Sequence, residues 1–380
     1  MKTLSTLGTY VQVPFCQTKC TYCNFHTGVF ARSLYGPYAD AVCREIREST
    51  ALRSLTVDTV YLGGGTPSLL EPSDVARILD AIRETYPCEW QEVTLEADPE
   101  TITREKAEAW RKAGVNRISM GAQSFCDEEL RAAGRMHRRE DIYKANEFLR
   151  GAGIQNISMD LIAGLPHQTR ASWEASVGEL TGMRPEHVSI YLLEVDEESR
   201  LGKEILAGGV RYGAGAVPSD DEMADFYESA CARLAAEGFA HYEISNWSQP
   251  GRASKHNLKY WRREPYIGFG AGAHSFDCER RWANAHDPAA YAAAIEQKRP
   301  VREQEETVTQ EQALEEELFL GLRELGGIDL TRIEKQYGAD LTPRVTKLIE
   351  DGLIEREGGR IRLSPAKLTI SNEAFVELLG

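Results

Sequence analysis

The chain has 380 residues, eight cysteines and a formal net charge of −15. This acidic balance disfavours nucleic acid as a partner, since a phosphate backbone attracts basic proteins. No apolar run reaches the roughly 18–20 residues of a membrane helix, and residues 1–15 lack the apolar core of a signal peptide. We therefore expect a cytoplasmic protein with no nucleic-acid partner and no stable membrane insertion.

Strands and helices are predicted to alternate through the first half of the chain. Segments rich in β-branched and apolar residues are separated by stretches with helical periodicity. Such alternation predicts parallel strands joined by right-handed crossovers, in an open sheet or an incomplete barrel. Residues that follow the strands then meet at one end of the fold. The six predicted strands are 9–13, 57–62, 91–97, 116–125, a strand with its following loop at 154–166, and 187–195.

The second half of the chain is less regular. Residues 208–219 are rich in glycine and small residues, which predicts a mobile connection before a helix at 220–237. Residues 241–285 are aromatic and irregular. From about 305 the pattern is typical of a winged helix, but acidic residues outnumber basic ones, which favours a structural or protein-contact module over DNA binding. The predicted units are 1–219, 220–300 and 301–380.

Three cysteines lie close together in a loop after the first predicted strand. Cys16, Cys20 and Cys23 offer thiolates for an iron–sulfur cluster with one iron left open for a small molecule. The alternative is a zinc ion held by these cysteines and His26, at spacings that zinc sites allow. The glycine-rich loop 63–66 follows the next strand and is not required by a structural zinc site, so it favours the cluster.

Four segments occur together in a specific order. They are YVQVPFCQTKCTYC at 10–23, GGGTP at 63–67, GAQSF at 121–125 and MDLIAGLP at 159–166. This set resembles the radical-SAM superfamily, in the branch of oxygen-independent coproporphyrinogen oxidases, over nearly the whole chain. The resemblance implies an α/β fold, an incomplete (β/α)6 barrel with a C-terminal helical, winged-helix-like module. It also implies a [4Fe–4S] cluster on the three cysteines and S-adenosylmethionine as a second cofactor.

The resemblance further implies which residues contact S-adenosylmethionine at its two ends. Gly64, Gly65 and Thr66 are expected to cradle the methionine end, because glycines allow the backbone to approach closely. Tyr22 and Tyr10 are expected to wall the adenine end.

Four polar residues complete the implied site. Glu96, Gln123 and Asp160 follow successive strands and are suited to bind ribose hydroxyls or the ammonium group. Arg135 is expected to pair with the methionine carboxylate as a planar fork. Taken alone, Gln123 and Arg135 are each typical of residues that cap a turn or a helix. Taken together, the four favour the functional interpretation, and no catalytic residue is assigned.

Two features distinguish the chain from the oxidases of this branch. Those enzymes carry a further cysteine after the cluster motif, in the form Cys-x-Cys, whereas this chain has Cys23-Asn24-Phe25. They also have a long N-terminal extension that covers the substrate, whereas nine residues precede Tyr10 here. Both features disfavour decarboxylation of a porphyrinogen.

A last motif, HNLKYW at 256–261, resembles the His-Asn-x-x-Tyr-Trp motif of haem chaperones within the superfamily. Imidazole is a common axial ligand of haem, and aromatic rings pack well on a porphyrin. His256 is therefore the predicted haem ligand, with His274 as the alternative and Cys231 as a weaker one. A buried structural histidine is the competing interpretation of His256.

The sequence thus predicts a haem chaperone that binds haem, the cluster and S-adenosylmethionine. Its expected partners are haem-accepting apoproteins, with respiratory enzymes as candidates, and a homodimer is conceivable. The alternatives are a radical-SAM enzyme acting on a tetrapyrrole, such as an oxygen-independent coproporphyrinogen III oxidase, and a zinc-stabilised interaction protein.

Overall fold

The strands of the barrel alternate buried apolar residues with polar or small ones, because successive side chains point to opposite faces of the sheet. The structure is a computed structural model that describes residues 5–379. In the first strand, for example, Leu7, Val11 and Val13 are fully buried. The strands are β1 Thr6–Val13, β2 Thr56–Gly64, β3 Cys88–Ala97, β4 Arg117–Gln123, β5 Asn156–Ala163, β6 His187–Leu192, β7 Ala240–Glu243, β8 Asn246–Ser248, β9 Tyr266–Phe269, β10 His274–Phe276, β11 Arg280–Asn284, β12 Arg302–Thr307, β13 Ile328–Asp329, β14 Ile354–Glu357 and β15 Arg360–Leu363.

Helix ends follow local signals in the sequence. The hydroxyls of Thr169 and Ser219 accept hydrogen bonds from backbone amides at two helix N-termini, and Gly114 ends a third helix in the left-handed region. The helices are α1 Tyr35–Glu48, α2 Pro72–Thr85, α3 Arg104–Ala113, α4 Asp127–Ala132, α5 Arg139–Gly151, α6 Arg170–Met183, α7 Arg200–Leu206, α8 Asp220–Ala236, α9 Lys255–Trp261, α10 Pro288–Glu296, α11 Gln310–Arg323, α12 Leu330–Tyr337, α13 Thr342–Glu350 and α14 Ser371–Leu379.

Strands β1 to β6 lie side by side and parallel in chain order, and all six match predicted strands. The sheet does not close on itself, and its twelve strands run in the order β12-β11-β10-β9-β1-β2-β3-β4-β5-β6-β8-β7. The predicted α/β fold with an incomplete (β/α)6 barrel is therefore confirmed. Its C-terminal strand ends lie at one end of the fold, where such folds place their sites.

The expectation of irregular structure at 241–285 was wrong. This segment contains helix α9 and short strands that extend both edges of the barrel sheet. Strand β9 pairs in parallel with β1, more than 250 residues earlier in the chain. Strands of three to five residues with distant partners carry little periodic signal of their own. Residues 211–216, within the predicted mobile connection, form two short 3₁₀ turns separated by a kink at Tyr212 and Gly213.

The C-terminal module contains α11 to α14 and the antiparallel sheet β13-β15-β14. Its core includes Phe319 and Phe375, whose rings meet edge to face at 4.8 Å. The predicted unit boundaries at 219 and 300 stay predictions. Within the part of the chain that the structure describes, no helix is long and apolar enough to cross a membrane.

Candidate functional site

The cysteine loop leaves β1 and returns to the same backbone segment. The amide of Cys16 donates to the Gly28 carbonyl, and the amide of Gly28 donates to the Pro14 carbonyl, both at 2.9 Å. Cys16, Cys20 and Cys23 all line one cavity of about 630 Å³. Burial raises the pKa of the Cys16 and Cys23 thiols, which would have to lose their protons to bind a metal as thiolates.

The arrangement of these side chains disfavours the zinc alternative. Cys16, Cys20 and Cys23 line the cavity, whereas His26, which would complete a Cys3His zinc site, is outside the set of lining residues. His26 is exposed, and its ring lies 4.8 Å from that of His286 between centroids. Three thiols around a shared cavity suit a larger iron–sulfur cluster better than one ion.

The glycine loop is fastened directly to the cysteine loop. The amide of Thr66 donates to the Phe15 carbonyl at 2.7 Å, and that of Gly65 donates to the Val13 carbonyl at 2.8 Å. A Cβ at Gly65 would lie 2.6 Å from the Phe15 oxygen, and Gly64 has a φ of 109°. Glycine is therefore required at both positions by backbone approach and conformation.

The cavity lies at the C-terminal ends of the barrel strands. It is lined by side chains from the cysteine loop, the glycine loop and strands β3 to β6. These segments are far apart in the sequence. Its lining includes the predicted residues Cys16, Cys20, Tyr22, Cys23, Gly64, Gly65, Thr66, Glu96, Gln123, Arg135 and Asp160.

Two carboxylates face the cavity with raised pKa values. Burial raises the pKa of Glu96 to about 7. Hydrogen bonds from the Tyr61 hydroxyl at 2.7 Å and the Gly64 amide at 2.9 Å oppose this shift, because they stabilise the ionised carboxylate. Burial also raises the pKa of Asp160, which accepts a hydrogen bond from Ser158 at 3.3 Å. Both groups can accept hydrogen bonds from hydroxyl or ammonium groups of a ligand.

Gln123 ends β4 in an unusual conformation. Its φ of 65° lies in the left-handed region, which residues other than glycine seldom adopt. Its Oε1 is buried and has no hydrogen-bond partner among the described residues, although the side chain lines the cavity. A strained residue with an unpartnered polar atom is typical of a binding site.

Arg135 joins the cysteine loop to the end of β3. Its guanidinium pairs with Asp98 and donates to the Cys20 sulfur at 3.5 Å and to the Gly121 carbonyl at 3.0 Å. Its Nε is buried with no partner among residues 5–379. Asp98 also accepts a hydrogen bond from Thr66 at 3.1 Å, so it connects Arg135 to the glycine loop. The sequence interpretation did not include Asp98, although it directly follows the third strand.

The C-terminal module supplies one wall of the cavity. Leu368, Thr369, Ser371 and Asn372 line it, together with Arg323 at the end of α11. No local pattern marks these residues, because the contact depends on how the module packs on the barrel. The site is therefore built from both ends of the chain.

Tyr10 lies outside the set of residues that line the cavity. Its hydroxyl donates to Oε1 of Gln12 at 2.7 Å, and its ring stacks on Tyr61 with centroids 6.1 Å apart. Tyr10 thus packs beside the cavity, and its contact with adenine stays a prediction.

His256 lies outside the set of residues that line the cavity. It is fully buried, Nδ1 lies 3.0 Å from the hydroxyl of Thr59 near the start of β2, and Nε2 lies 2.9 Å from the hydroxyl of Tyr260. Burial lowers the pKa of His256 to about 3, so the ring is neutral. With both nitrogens hydrogen-bonded, neither can coordinate iron in this conformation, and the geometry favours a structural role over haem ligation.

The residues present fit the cofactors that the sequence implies. Cys16, Cys20 and Cys23 line one cavity together with Gln123 and Arg135, each of which carries a buried polar atom with no partner among the described residues. Thiolates hold iron–sulfur clusters, and the surrounding carboxylates and guanidinium match a zwitterionic nucleoside.

The parallel barrel strands, the cysteine loop and the glycine loop define a radical-SAM protein. Residues 10–180 match the family described as the Radical SAM superfamily, and residues 308–366 match the HemN C-terminal domain. Membership of this superfamily implies a [4Fe–4S] cluster and S-adenosylmethionine.

Within the superfamily, the chain belongs to the HemW family. It is 35% identical over 379 residues to Heme chaperone HemW of Bacillus subtilis, with 98% of each chain covered. It is 34% identical to Heme chaperone HemW of Escherichia coli, over 72% of this chain and 71% of the relative. The solved structure of coproporphyrinogen III oxidase (HemN) from Escherichia coli has a TM-score of 0.84 and 21% identity, covering 99% of this chain and 90% of that one. This last likeness shows a shared fold.

Proposed function

We propose that the protein is a haem chaperone that carries a [4Fe–4S] cluster and binds S-adenosylmethionine. The observation that carries this proposal is similarity along 98% of the chain to a protein named Heme chaperone HemW. The cluster would be held by Cys16, Cys20 and Cys23, and the methionine derivative would occupy the 630 Å³ cavity beside them. Haem-accepting apoproteins would be the recipients.

Different residues would bind different parts of S-adenosylmethionine. Gly64, Gly65 and Thr66 would hold its methionine end through their backbone, while Glu96 and Asp160 accept hydrogen bonds from its polar groups. Arg135 would keep Cys20 and Asp98 in position and offer its free Nε. When bound, the cluster and S-adenosylmethionine supply one-electron chemistry.

The presence of Phe25 supports the function of a haem chaperone over that of a coproporphyrinogen oxidase. It occupies the position of the further cysteine in the Cys-x-Cys pattern of the oxidases, lines the cavity and is 67% exposed. A phenyl ring has no thiol to donate a proton or to bind metal, so any chemistry that needs that thiol is lost. The shared fold alone does not separate the two functions.

The proposal is tested by following haem itself. Anaerobically reconstituted protein is titrated with haem, and bound haem is then exposed to excess apomyoglobin as an acceptor. A chaperone binds haem stoichiometrically and releases it to the acceptor with its cluster still intact. Failure to bind haem, or retention of all haem against the acceptor, would overturn the proposal.

A further inference from the structure

Three histidines lie together at the cysteine loop, where His26 of the loop meets His274 and His286 from the region of strands β10 and β11. The rings of His26 and His286 have centroids 4.8 Å apart with planes tilted by 44°. Nδ1 of His286 is 3.1 Å from the place that a Cβ would take on Gly272, two residues before His274. Partial burial lowers the pKa of His274, and the neighbouring His286, Arg281 and His26 lower it further. We refer to His26, His274 and His286 as the histidine cluster.

The histidine cluster differs from most other histidines of the protein in the hydrogen bonding of its ring nitrogens. All three side chains are exposed, and their ring nitrogens make no hydrogen bond to any residue in the range 5–379. Their lone pairs are therefore available to a ligand. The histidines whose rings are hydrogen-bonded are His137, His187, His241 and His256.

Exposed apolar side chains flank the histidine cluster. Phe25, directly before His26, is 67% exposed, and Val29, three residues after it, is 62% exposed. Phe25 also lines the cavity of the cysteine loop. Large exposed apolar groups beside free imidazoles suit a flat apolar ligand that carries its own metal.

We infer that the histidine cluster is the site where haem iron is bound, through an imidazole of His26, His274 or His286. This inference rests on the proposed function and names the residues that hold its cargo. Haem iron needs one or two axial imidazoles, whereas a bare metal ion needs several converging ligands. No such convergence exists among the described residues, which favours an iron porphyrin over a free divalent ion.

The position of the site has a consequence for the cofactors. His26 lies three residues after Cys23 and outside the set that lines the cavity, while its neighbour Phe25 lies within it. Haem bound at the histidine cluster would therefore lie at the rim of the cavity that the three cysteines line, and it would leave that cavity free. S-adenosylmethionine and haem can then be held at the same time.

The test compares haem spectra of the full-length, cluster-loaded protein and its variants. His26→Ala, His274→Ala, His286→Ala and the triple variant are titrated with haem, and the Soret band and resonance Raman spectrum are recorded. We expect the triple variant to lose the signature of imidazole ligation and to bind haem about tenfold or more weakly. Its cluster absorbance should stay normal, and added imidazole should restore the Soret band. His167→Asn, which removes an exposed imidazole elsewhere, is the control.

The outcomes are distinct. A triple variant with the wild-type Soret band and affinity would overturn the inference while leaving the proposed function standing. Loss of Zn²⁺ binding by the triple variant with an unchanged haem spectrum would identify a divalent-ion site and also overturn it. Wild-type protein that binds no haem would contradict the proposed function itself.

Discussion

The amide of Thr66 donates to the carbonyl of Phe15 at 2.7 Å, which joins the glycine loop to the residue directly before Cys16. Two loops that follow neighbouring parallel strands thus behave as one unit. A disturbance of the glycine loop is transmitted through backbone to the first cluster cysteine. Cluster binding and S-adenosylmethionine binding should therefore respond together to changes here.

Replacement of Cys20 by alanine is expected to abolish the cluster, because two thiolates remain where three are needed. Iron content, sulfide content and visible absorbance after anaerobic reconstitution measure the loss. Cys126→Ala, at a cysteine that does not line the cavity, should reconstitute normally. A full iron and sulfide content in the Cys20 variant would refute its assignment as a ligand.

Replacement of Gly65 by alanine is expected to displace the glycine loop, since the added Cβ would lie 2.6 Å from one backbone oxygen and 2.9 Å from another. We expect a loss of about 1–3 kcal/mol in the free energy of unfolding and much weaker S-adenosylmethionine binding. Denaturant titration and anaerobic calorimetry measure these two effects.

Gly178→Ala is the matched control for that substitution. Gly178 lies within α6, and an added Cβ there has no heavy atom within 4 Å. Since alanine is the better helix former, this variant should be neutral or up to about 1 kcal/mol more stable. Equal effects of the two substitutions would contradict the steric account of the loop.

Affinity for S-adenosylmethionine is expected to rise with pH through neutrality. The pKa of Glu96 is raised by burial to about 7, so its carboxyl is protonated below that pH and ionised above it. The ionised form accepts hydrogen bonds from hydroxyl and ammonium groups, which favours binding at the higher pH. The Kd at about pH 6 should exceed that at about pH 8 by up to about tenfold.

Glu96→Gln isolates the contribution of this carboxyl from titration of the ligand. The amide cannot ionise, so the part of the pH dependence that belongs to Glu96 should disappear. Calorimetric titrations of both proteins across this range give the comparison. Superimposable pH profiles would show that Glu96 does not contact the ligand.

Replacement of His256 by alanine is expected to reduce stability and to leave haem binding unchanged. The substitution opens a buried space and leaves the Thr59 and Tyr260 hydroxyls without their partner, at a cost of about 2–4 kcal/mol. The triple variant of His26, His274 and His286, which are exposed, should change stability much less than this but weaken haem binding. The reverse pattern would return the haem ligand to the His-Asn-x-x-Tyr-Trp motif.

The barrel could be predicted because its signals are local. In β4, β5 and β6 buried apolar residues alternate with polar or small ones, and the parallel order of the strands follows from the helices between them. The same reasoning predicted that Glu96, Gln123 and Asp160 would meet, and the structure brings all three to one cavity. Their contacts with S-adenosylmethionine stay predictions.

The parts that escaped prediction depend on contacts between distant segments. Strand β9 has four residues and is defined by its pairing with β1, and Arg323 reaches the cavity only through packing of the C-terminal module. The role of His256 also depends on such contacts, because a histidine beside aromatic residues has one sequence pattern and two possible environments, and its haem ligation stays a prediction that burial disfavours. Burial, which the sequence did not reveal, separates a structural ring from a ligand.

The most direct test of the haem-chaperone account is an anaerobic turnover assay on reconstituted protein. Dithionite, S-adenosylmethionine and coproporphyrinogen III are supplied, and the tetrapyrroles are identified by mass spectrometry while haem binding is measured on the same preparation. The account predicts stoichiometric haem binding and no decarboxylated product. Product that accumulates over many turnovers would contradict it and establish an oxidase that works without the Cys-x-Cys cysteine.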